Sequence, residues 1–410
     1  MDLERFSHSP IGHLVRIHGT DGRTGRPYDH AAFVADPLSA EPALAPETWH
    51  DVNSANRALA RLDQAARQIP RASLLRGPTL RREAQSTSAL EGTFAPLDQV
   101  LAADRTSSEA LPKEVAEVLN YVDAADWAFH AIGQQPRVTV GLLESAHKTL
   151  VRGTASDTRD AGKVRGSQVA IGSANGTIED ARFVPMPPGT ELGAAAQDLV
   201  DWINATEAPR EPLVGAAMAH YQFETLHPFN DGNGRVGRLL IVLHFMITKL
   251  ISEPLLSVSP WFEARRANYQ DHLAEVSATG DWNAWIRFFA TGVRESADDT
   301  LERVNRLLAL QQRYVALLQS ANIKGLARDI AEALIGEPIV TVPRLVRIFG
   351  KTAPSTNQAV KKLVDLGILD EPIGTYNRAF VARDVFQALS APIGGVPSAD
   401  EPLSRRPETP

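Results

Sequence analysis

Apolar residues recur three and four positions apart among charged ones along most of the chain, the spacing that predicts amphipathic helices. The predicted helices span residues 56–68, 80–90, 113–132, 138–151, 191–204, 213–226, 236–251, 262–279 and 281–318. We expect the last of these helices to be interrupted. The fold is therefore predicted to be mainly α, with a helical core.

One segment departs from the helical spacing. Between Gly162 and Pro188, apolar residues alternate at Val164, Val169 and Ile171, and a Gly/Asn turn follows. Alternation around a turn predicts a β-hairpin beside the helical core.

The two ends of the chain differ from the helical core in their sequence pattern. Residues 1 to about 50 are rich in Pro, Gly, Asp and His without clear periodicity, and are predicted to form an irregular arm. After residue 325, three short helices, two strands around a turn within 367–382 and a last helix at 383–389 predict a winged-helix (α+β) domain. The proline-rich tail is predicted to be disordered.

These patterns divide the chain into five parts. The predicted parts are an N-terminal arm with helices at 1–110, the helical core at 111–300, a linker helix at 301–325, the winged helix at 326–390 and the tail at 391–410.

Composition narrows the function classes. The chain has 410 residues, a formal net charge of −7 and no cysteine, so it offers no disulfide, no thiolate metal site and no global attraction for nucleic acid. The N-terminus lacks a secretory pattern, and the longest apolar run, Leu239–Ile247, is too short to span a membrane. We expect a cytoplasmic protein without membrane contact.

The stretch His-Pro-Phe-Asn-Asp-Gly-Asn-Gly-Arg-Val-Gly-Arg, residues 227–238, carries the candidate chemistry. Gly232, Asn233 and Gly234 can turn successive N–H groups toward one anion, and the helix that follows adds its positive N-terminal end. The stretch therefore predicts a phosphate cradle.

Charged residues complete the cradle. Arg235 and Arg238 are three positions apart at the start of the helix, so both could reach one polyphosphate. Asp231 is placed to hold Mg²⁺, and His227 can take a proton near neutral pH. These are the parts needed for in-line attack on phosphorus.

Three other interpretations fit less well. Residues 232–237 match GxGxxG, but no buried strand precedes them, as a dinucleotide fold would need. An EF-hand loop would need Glu where Val242 stands. A simple helix cap would leave the histidine, the acid and the arginines unexplained.

The stretch resembles, without a mismatch, the Fic family signature His-x-Phe-x-Asp/Glu-Gly-Asn-Gly-Arg-x-x-Arg. The helices of 113–300 are similar to the Fic core, and the segment 162–172 resembles the family's target-positioning flap. The resemblance implies a protein adenylyltransferase that moves AMP from ATP to a protein hydroxyl.

Roles follow from the resemblance for each matching residue. His227 would deprotonate a Ser, Thr or Tyr hydroxyl of the target protein, and Asp231 would bind Mg²⁺, or Mn²⁺ in its place. Asn233 and the amides of its flanking glycines would form the anion hole. Arg235 would grip the β/γ end of ATP, and Phe229 would anchor the loop.

The flap and a later helix would complete the nucleotide site. Backbone near Ile171 and Gly172 would cover the nucleotide and pair with a target segment. Tyr269 and Gln270 stand where the family often has paired tyrosines, and are candidates for contacts to adenine.

A second motif lies upstream. Thr87-x-x-x-Glu91-Gly92 resembles the Fic inhibitory motif of the family's second class, with Gly92 after the end of a helix. A carboxylate of Glu91 paired with Arg238 would take a clamp away from the γ-phosphate. We therefore expect a built-in brake on AMP transfer.

Alternatives stay open at this point. The same scaffold could remove AMP, or transfer another nucleotide or phosphocholine. The winged helix could dock a protein, or bind DNA through the cations Lys351, Lys361, Lys362 and Arg378. The resemblance also allows a homodimer.

Overall fold

The computed structural model describes residues 1–20, 25–68, 73–104, 110–173, 177–205, 210–370, 372 and 378–396. Helices dominate these residues, as predicted. No helix within the described ranges is long and apolar enough to cross a membrane.

The prediction of an irregular N-terminal arm is wrong for the described residues up to Ala35. They form helix α1 (Leu3–Ser7) and strands β1 (Gly12–Thr20) and β2 (Pro27–Ala35), which pair antiparallel from Gly12 opposite Ala35 to Thr20 opposite Pro27. Near the end of β2, Ala32 and Phe33 are both fully buried. A strand buried on both faces loses the alternation by which sequence reveals strands.

The central part of the chain is helical except for the segment between Leu150 and Thr190. Its helices are α2 (Pro46–Gln68), α3 (Ser73–Leu90), α4 (Leu97–Ala102), α5 (Lys113–Gln134), α6 (Val140–Leu150), α7 (Thr190–Asn204), α8 (Pro212–Leu226), α9 (Asn233–Ile247), α10 (Ser259–Glu263), α11 (Arg266–Thr279) and α12 (Trp282–Ser320). The helix predicted at 262–279 is thus two helices. The expected interruption in the next helix is absent, since α12 is continuous and passes residue 300 without a break.

Helix α9 is the centre of the core. Every residue from Asn233 to Phe245 is buried, and α3, α5, α6 and α8 pack around it. Even the two arginines of the first turns, Arg235 and Arg238, are buried, so neighbouring elements enclose α9 on every side. The motif at the start of α9 therefore sits on a rigid, fully packed element.

The segment predicted as a β-hairpin is less regular than expected. Among its described residues, Ile171 and Phe183 form a single antiparallel bridge, and no strand is assigned there. Phe33 of β2 donates its N–H to the Val184 carbonyl at 2.9 Å. Residues 174–176, at the predicted turn, lie outside the described residues.

The C-terminal part is a smaller unit of helices with one two-stranded sheet. Its elements are α13 (Leu326–Ala333), β3 (Ile339–Thr341), α14 (Val342–Phe349), α15 (Ala353–Asp365), β4 (Ala379–Val381) and α16 (Arg383–Ser390). β3 pairs antiparallel with β4. β3 was not predicted, and the predicted wing turn at 371 and 373–377 lies outside the described residues, so the winged helix stays a prediction.

The C-terminal unit packs against the helical core through a second hydrophobic cluster. This cluster joins Leu75 of α3 and Leu101 of α4 to residues of α12–α16. At its edge, buried Arg303 bonds to Asp299 and to the carbonyls of residues 388, 389, 391 and 392. The tail from residue 397 onward lies outside the described residues.

Candidate active site

The loop between α8 and α9 holds its shape through its own side chains. His227 ends α8 in the left-handed region, with a φ of 49°. Asn233 donates through Nδ2 to the Phe229 carbonyl and accepts at Oδ1 from the Phe229 N–H, both at 2.8 Å. The Asn233 side chain is thus committed to the loop, while the sequence interpretation placed it on the anion.

His227 lines the pocket as an uncharged imidazole. Burial, together with the positive charge of Arg165, lowers the pKa of His227 to about 4. Its Nδ1 lies 3.3 Å from the Glu224 carbonyl, an acceptor for a proton held on that nitrogen. A proton on Nδ1 leaves a lone pair on Nε2. His227 is therefore suited to accept a proton at neutral pH.

The first turn of α9 is suited to an anion. Gly232 precedes it in the left-handed region, with a φ of 73°, and provides no side chain to cap the helix. Its own N–H donates to Asp231 Oδ1 at 2.7 Å. The N–H groups of the first turn remain donors for a ligand, and the helix dipole adds partial positive charge.

Asp231 is the acid that could hold a metal ion. Burial raises the pKa of its carboxyl, but hydrogen bonds from Ser156 and Gly232 and the charge of Arg235 outweigh burial and leave the pKa lowered. Among the described residues, no group of three or more His, Cys, Asp or Glu side chains forms a metal cage. A single ionised carboxylate fits Mg²⁺, which proteins often bind through one or two carboxylates together with substrate phosphates.

Arg235 and Arg238 have different partners. Arg235 Nη1 lies 2.9 Å from Glu117 Oε1 on α5, and its Nη2 lies 3.8 Å from Asp231 Oδ2. Arg238 points instead to α3. The shared grip on one polyphosphate, which the spacing suggested, would require Arg235 to leave Glu117.

Arg238 is held by the end of α3. Its Nε donates to Thr87 Oγ1 at 2.7 Å, and its Nη2 donates to the Thr87 carbonyl at 3.0 Å and to Glu91 Oε1 at 2.6 Å. Arg238 is 1% exposed and Glu91 32%. Burial lowers the pKa of Arg238, but the nearby carboxylates, Glu91 first, outweigh burial and raise it. The guanidinium therefore stays charged.

Two glycines make this approach sterically feasible. A Cβ on Gly234 would overlap Glu91 Oε1, so a side chain there would push Glu91 away. Gly92 has a φ of 93° and donates to the Ala89 carbonyl, while the Thr93 N–H donates to the Ser88 carbonyl. These bonds form a Schellman end, which fixes Glu91 at the mouth of the site.

A pocket opens beside these groups. Predicted residues from four separate parts of the chain line it, namely Glu91, Ile171, Gly172, His227, Gly234, Arg238, Tyr269 and Gln270. Asp231 and Arg235 lie outside this lining. Tyr269 is buried, and its hydroxyl lies 2.7 Å from His220 Nε2.

Sequence reasoning missed three residues of the site. Glu224 lines the pocket one turn before His227, a spacing that could have revealed it. Burial raises the pKa of Glu224 to about 8 against the opposing charge of Arg238. Buried Arg165 donates to the His227 carbonyl at 2.8 Å, and His147 contacts Asp231. Nothing in the spacing of the last two signals these contacts.

Comparison with known proteins finds two family models that match parts of the chain. Residues 137–245 match the model of the Fic/DOC family, and residues 49–130 match the model of the Fic/DOC family N-terminal region. These two parts of the chain are a Fic/DOC domain and a Fic/DOC N-terminal domain by their similarity to the family models. The two matches together include most of α2, all of α3 and α4, most of α5, all of α6, α7 and α8, and most of α9. The predicted Fic resemblance is therefore confirmed.

Two protein adenylyltransferases are similar to part of the chain. It is 30% identical over 211 residues to protein adenylyltransferase fic-1 of Caenorhabditis briggsae, and 28% identical over 216 residues to protein adenylyltransferase Fic of Aedes aegypti. These alignments cover 50% and 52% of this chain, and 38% of each relative. The chain thus spans less than half the length of these relatives.

A solved structure supports the fold. A Fic family protein from Desulfovibrio desulfuricans G20 superposes with a TM-score of 0.53, covering 84% of this chain and 98% of that one at 22% identity. The predicted Fic fold is confirmed on this basis.

Proposed function

We propose that this chain is a protein adenylyltransferase, which moves AMP from ATP to a Ser, Thr or Tyr hydroxyl of a target protein or of itself. The proposal rests on one observation. A neutral His227, the start of α9 and Arg238 border the same pocket. The relatives named protein adenylyltransferases support the same reaction class.

In the proposed reaction, His227 Nε2 removes the proton from the target hydroxyl. The oxygen attacks the α-phosphorus of ATP, the bond from that phosphorus to the bridging oxygen breaks, and pyrophosphate leaves. The products are AMP-modified protein, pyrophosphate and a protonated His227, which then releases its proton. The low pKa of His227 favours the neutral form at the start.

The charge that develops on the phosphates would be met by fixed donors. N–H groups of the first turn of α9 would hold the phosphate oxygens, and Arg238 would hold the terminal phosphate. Asp231 would hold Mg²⁺, or Mn²⁺, which supplies positive charge to the phosphates when bound. Arg235, now paired with Glu117, keeps Asp231 ionised through its positive charge.

Glu91 would act as a brake on this reaction. Its carboxylate accepts a hydrogen bond from Arg238, and its negative charge would repel a terminal phosphate that approached that guanidinium. A nucleotide that binds against this carboxylate loses its clamp and is pushed out of line. Release of Glu91 is therefore expected to raise activity.

The segment around Ile171 would present the target. The Ile171 N–H donates to the Phe183 carbonyl and the Ile171 carbonyl accepts from Arg182 and Phe183, so Ile171 is held in a single antiparallel bridge at the pocket rim. A target segment would pair with this part of the rim in a strand-like way.

Intact-mass spectrometry tests the reaction class. Glu91→Gly protein is incubated with Mg²⁺ and ATP, both alone and with synthetic peptides that contain Ser, Thr and Tyr. We expect a gain of one AMP on protein or peptide. The double variant Glu91→Gly, His227→Ala should show none. Equal labelling in both variants would contradict the role of His227.

A further inference from the structure

We propose that His147 is a positioning residue for Asp231, and that it joins the metal-binding carboxylate to the start of the flap. The inference rests on the proposed function only for the metal. His147 lies on α6, outside the 227–238 motif, and is 3% exposed.

Both ring nitrogens of His147 are in use, which determines its tautomer. The Gly162 N–H donates to Nδ1 at 3.0 Å, so Nδ1 carries a lone pair. Nε2 lies 2.9 Å from the Asp231 carbonyl oxygen, which can only accept. A neutral ring with its proton on Nε2 satisfies both bonds.

The face of the ring is used as well. His147 stacks on Phe229 with centroids 4.1 Å apart and planes at 6°. A Cβ on Gly232 would lie 3.7 Å from the His147 ring and 3.0 Å from Leu150. The ring therefore fixes the loop at Phe229 and at Asp231 while closely covering Gly232.

The two hydrogen bonds of His147 reach the loop before α9 and the start of the flap. Asp231 immediately precedes Gly232, the residue before the first turn of α9, so rotation of the 231 peptide would turn the carboxylate away from the cradle. Gly162, the other partner, has a φ of 77° and begins the segment that leads to Ile171. One buried imidazole thus sets the positions of both the acid and the flap base.

Partners that orient a metal ligand commonly contribute 10- to 100-fold to metal affinity. We expect about 10-fold for His147, because it acts through the carbonyl and not through the carboxylate itself.

The test uses three variants in the Glu91→Gly background. His147→Phe keeps the stacking and loses both hydrogen bonds. His147→Gln keeps a donor near the position of Nε2, and His147→Asn keeps an acceptor near the position of Nδ1. His244→Phe is the matched control, because His244 is also a buried histidine but lies far along α9 from the loop.

Two readouts separate positioning from simple stability. The first is the Mg²⁺ concentration that gives half of the maximal binding of a fluorescent ATP analogue, with binding in EDTA as the reference. We expect His147→Phe to raise this Mg²⁺ concentration about 10-fold, while binding in EDTA stays unchanged. His147→Gln should bring the Mg²⁺ concentration most of the way back to that of the parent. An unchanged Mg²⁺ requirement, or an equal loss in EDTA, would overturn the proposal.

The second readout does not depend on the metal. Hydrogen exchange of the amides of residues 229–234 should become faster in His147→Phe and not in His244→Phe. If Asp231→Asn leaves the Mg²⁺ requirement of the parent unchanged, the metal role in the proposed function fails. Hydrogen exchange then tests whether His147 positions the loop. Unchanged hydrogen exchange of the amides of residues 229–234 would refute that role.

Discussion

Replacing Glu91 by glycine removes the carboxylate that holds Arg238. The contact is a charge-assisted hydrogen bond of 2.6 Å to a guanidinium that is 1% exposed. Hydrogen bonds to charged groups contribute about 1.5–3 kcal/mol, and each 1.36 kcal/mol is tenfold in rate, so the bond corresponds to about 10- to 150-fold. Since Glu91 is 32% exposed and water can replace part of the bond, we expect about 10- to 50-fold.

The structure also indicates that Arg238 stays in place without Glu91. Its Nε and Nη2 keep their bonds to Thr87, so the freed guanidinium remains at the pocket for a phosphate. Glycine at 91 precedes the left-handed Gly92 and should loosen the end of α3 only locally.

Initial rates of AMP incorporation from labelled ATP measure the effect. Wild type, Glu91→Gly and Glu91→Gln are compared at one saturating Mg²⁺ and ATP concentration. Glutamine can still accept from Arg238 but carries no charge, so its rate should fall between the other two. If Glu91→Gly and wild type label at rates within twofold of each other, the reasoning about the brake is refuted.

Three further predictions concern other contacts. His227 must be unprotonated to act as a base, and its pKa is about 4, so activity should be lost only as the pH falls through about 4. The rate of AMP transfer by Glu91→Gly should therefore be flat from about pH 5.5 to 7. A loss of rate centred near pH 6.5 would contradict this prediction. Thr87→Val removes a hydroxyl acceptor from the buried arginine, so urea unfolding should show a loss of about 1–2 kcal/mol with a smaller rise in AMP transfer than Glu91→Gly gives. Arg303→Ala should lower the free energy of unfolding by about 1.5–3 kcal/mol, because it removes the hydrogen-bonded partner of buried Asp299 and leaves Arg82, at 3.4 Å, to pair with that carboxylate. Arg328→Ala, in an exposed pair, should cost no more than about 1 kcal/mol.

The motif and its helix were accessible to sequence reasoning because the chemistry is local. The run of apolar residues after Arg238 predicted a buried helix, and α9 is buried throughout. The helix starts at Asn233, three residues earlier than predicted at Val236, since glycines in a first turn look the same in sequence as glycines in a loop. The spacing of Thr87 and Glu91 placed both on one face of α3, and both contact Arg238.

Contacts between distant segments could not be predicted in the same way. His147 and Arg165 reach the loop from 84 and 62 positions away, and a lone histidine or arginine carries no spacing signal. The hairpin of β1 and β2 was missed because residues 178–184 pack on its buried end, so apolar residues there do not alternate with polar ones. The start of α2 was within reach, since Pro46 followed by Glu47 is a common helix beginning.

The continuity of α12 has a tertiary cause. Gly292 in its middle suggests a break, but a Cβ there would lie 2.7 Å from the Trp261 ring. The glycine makes room for that ring, and the helix continues through it. Residue type alone does not distinguish a glycine that breaks a helix from one that admits a neighbour.

A crystal structure of Glu91→Gly with Mg²⁺ and a non-hydrolysable ATP analogue tests the central claim most directly. The account predicts phosphates on the first turn of α9, the terminal phosphate on Arg238, and an open path from His227 Nε2 to the α-phosphorus. Nucleotide bound elsewhere, or a His227 ring turned into the core with the α9 turn free of phosphate, would contradict it.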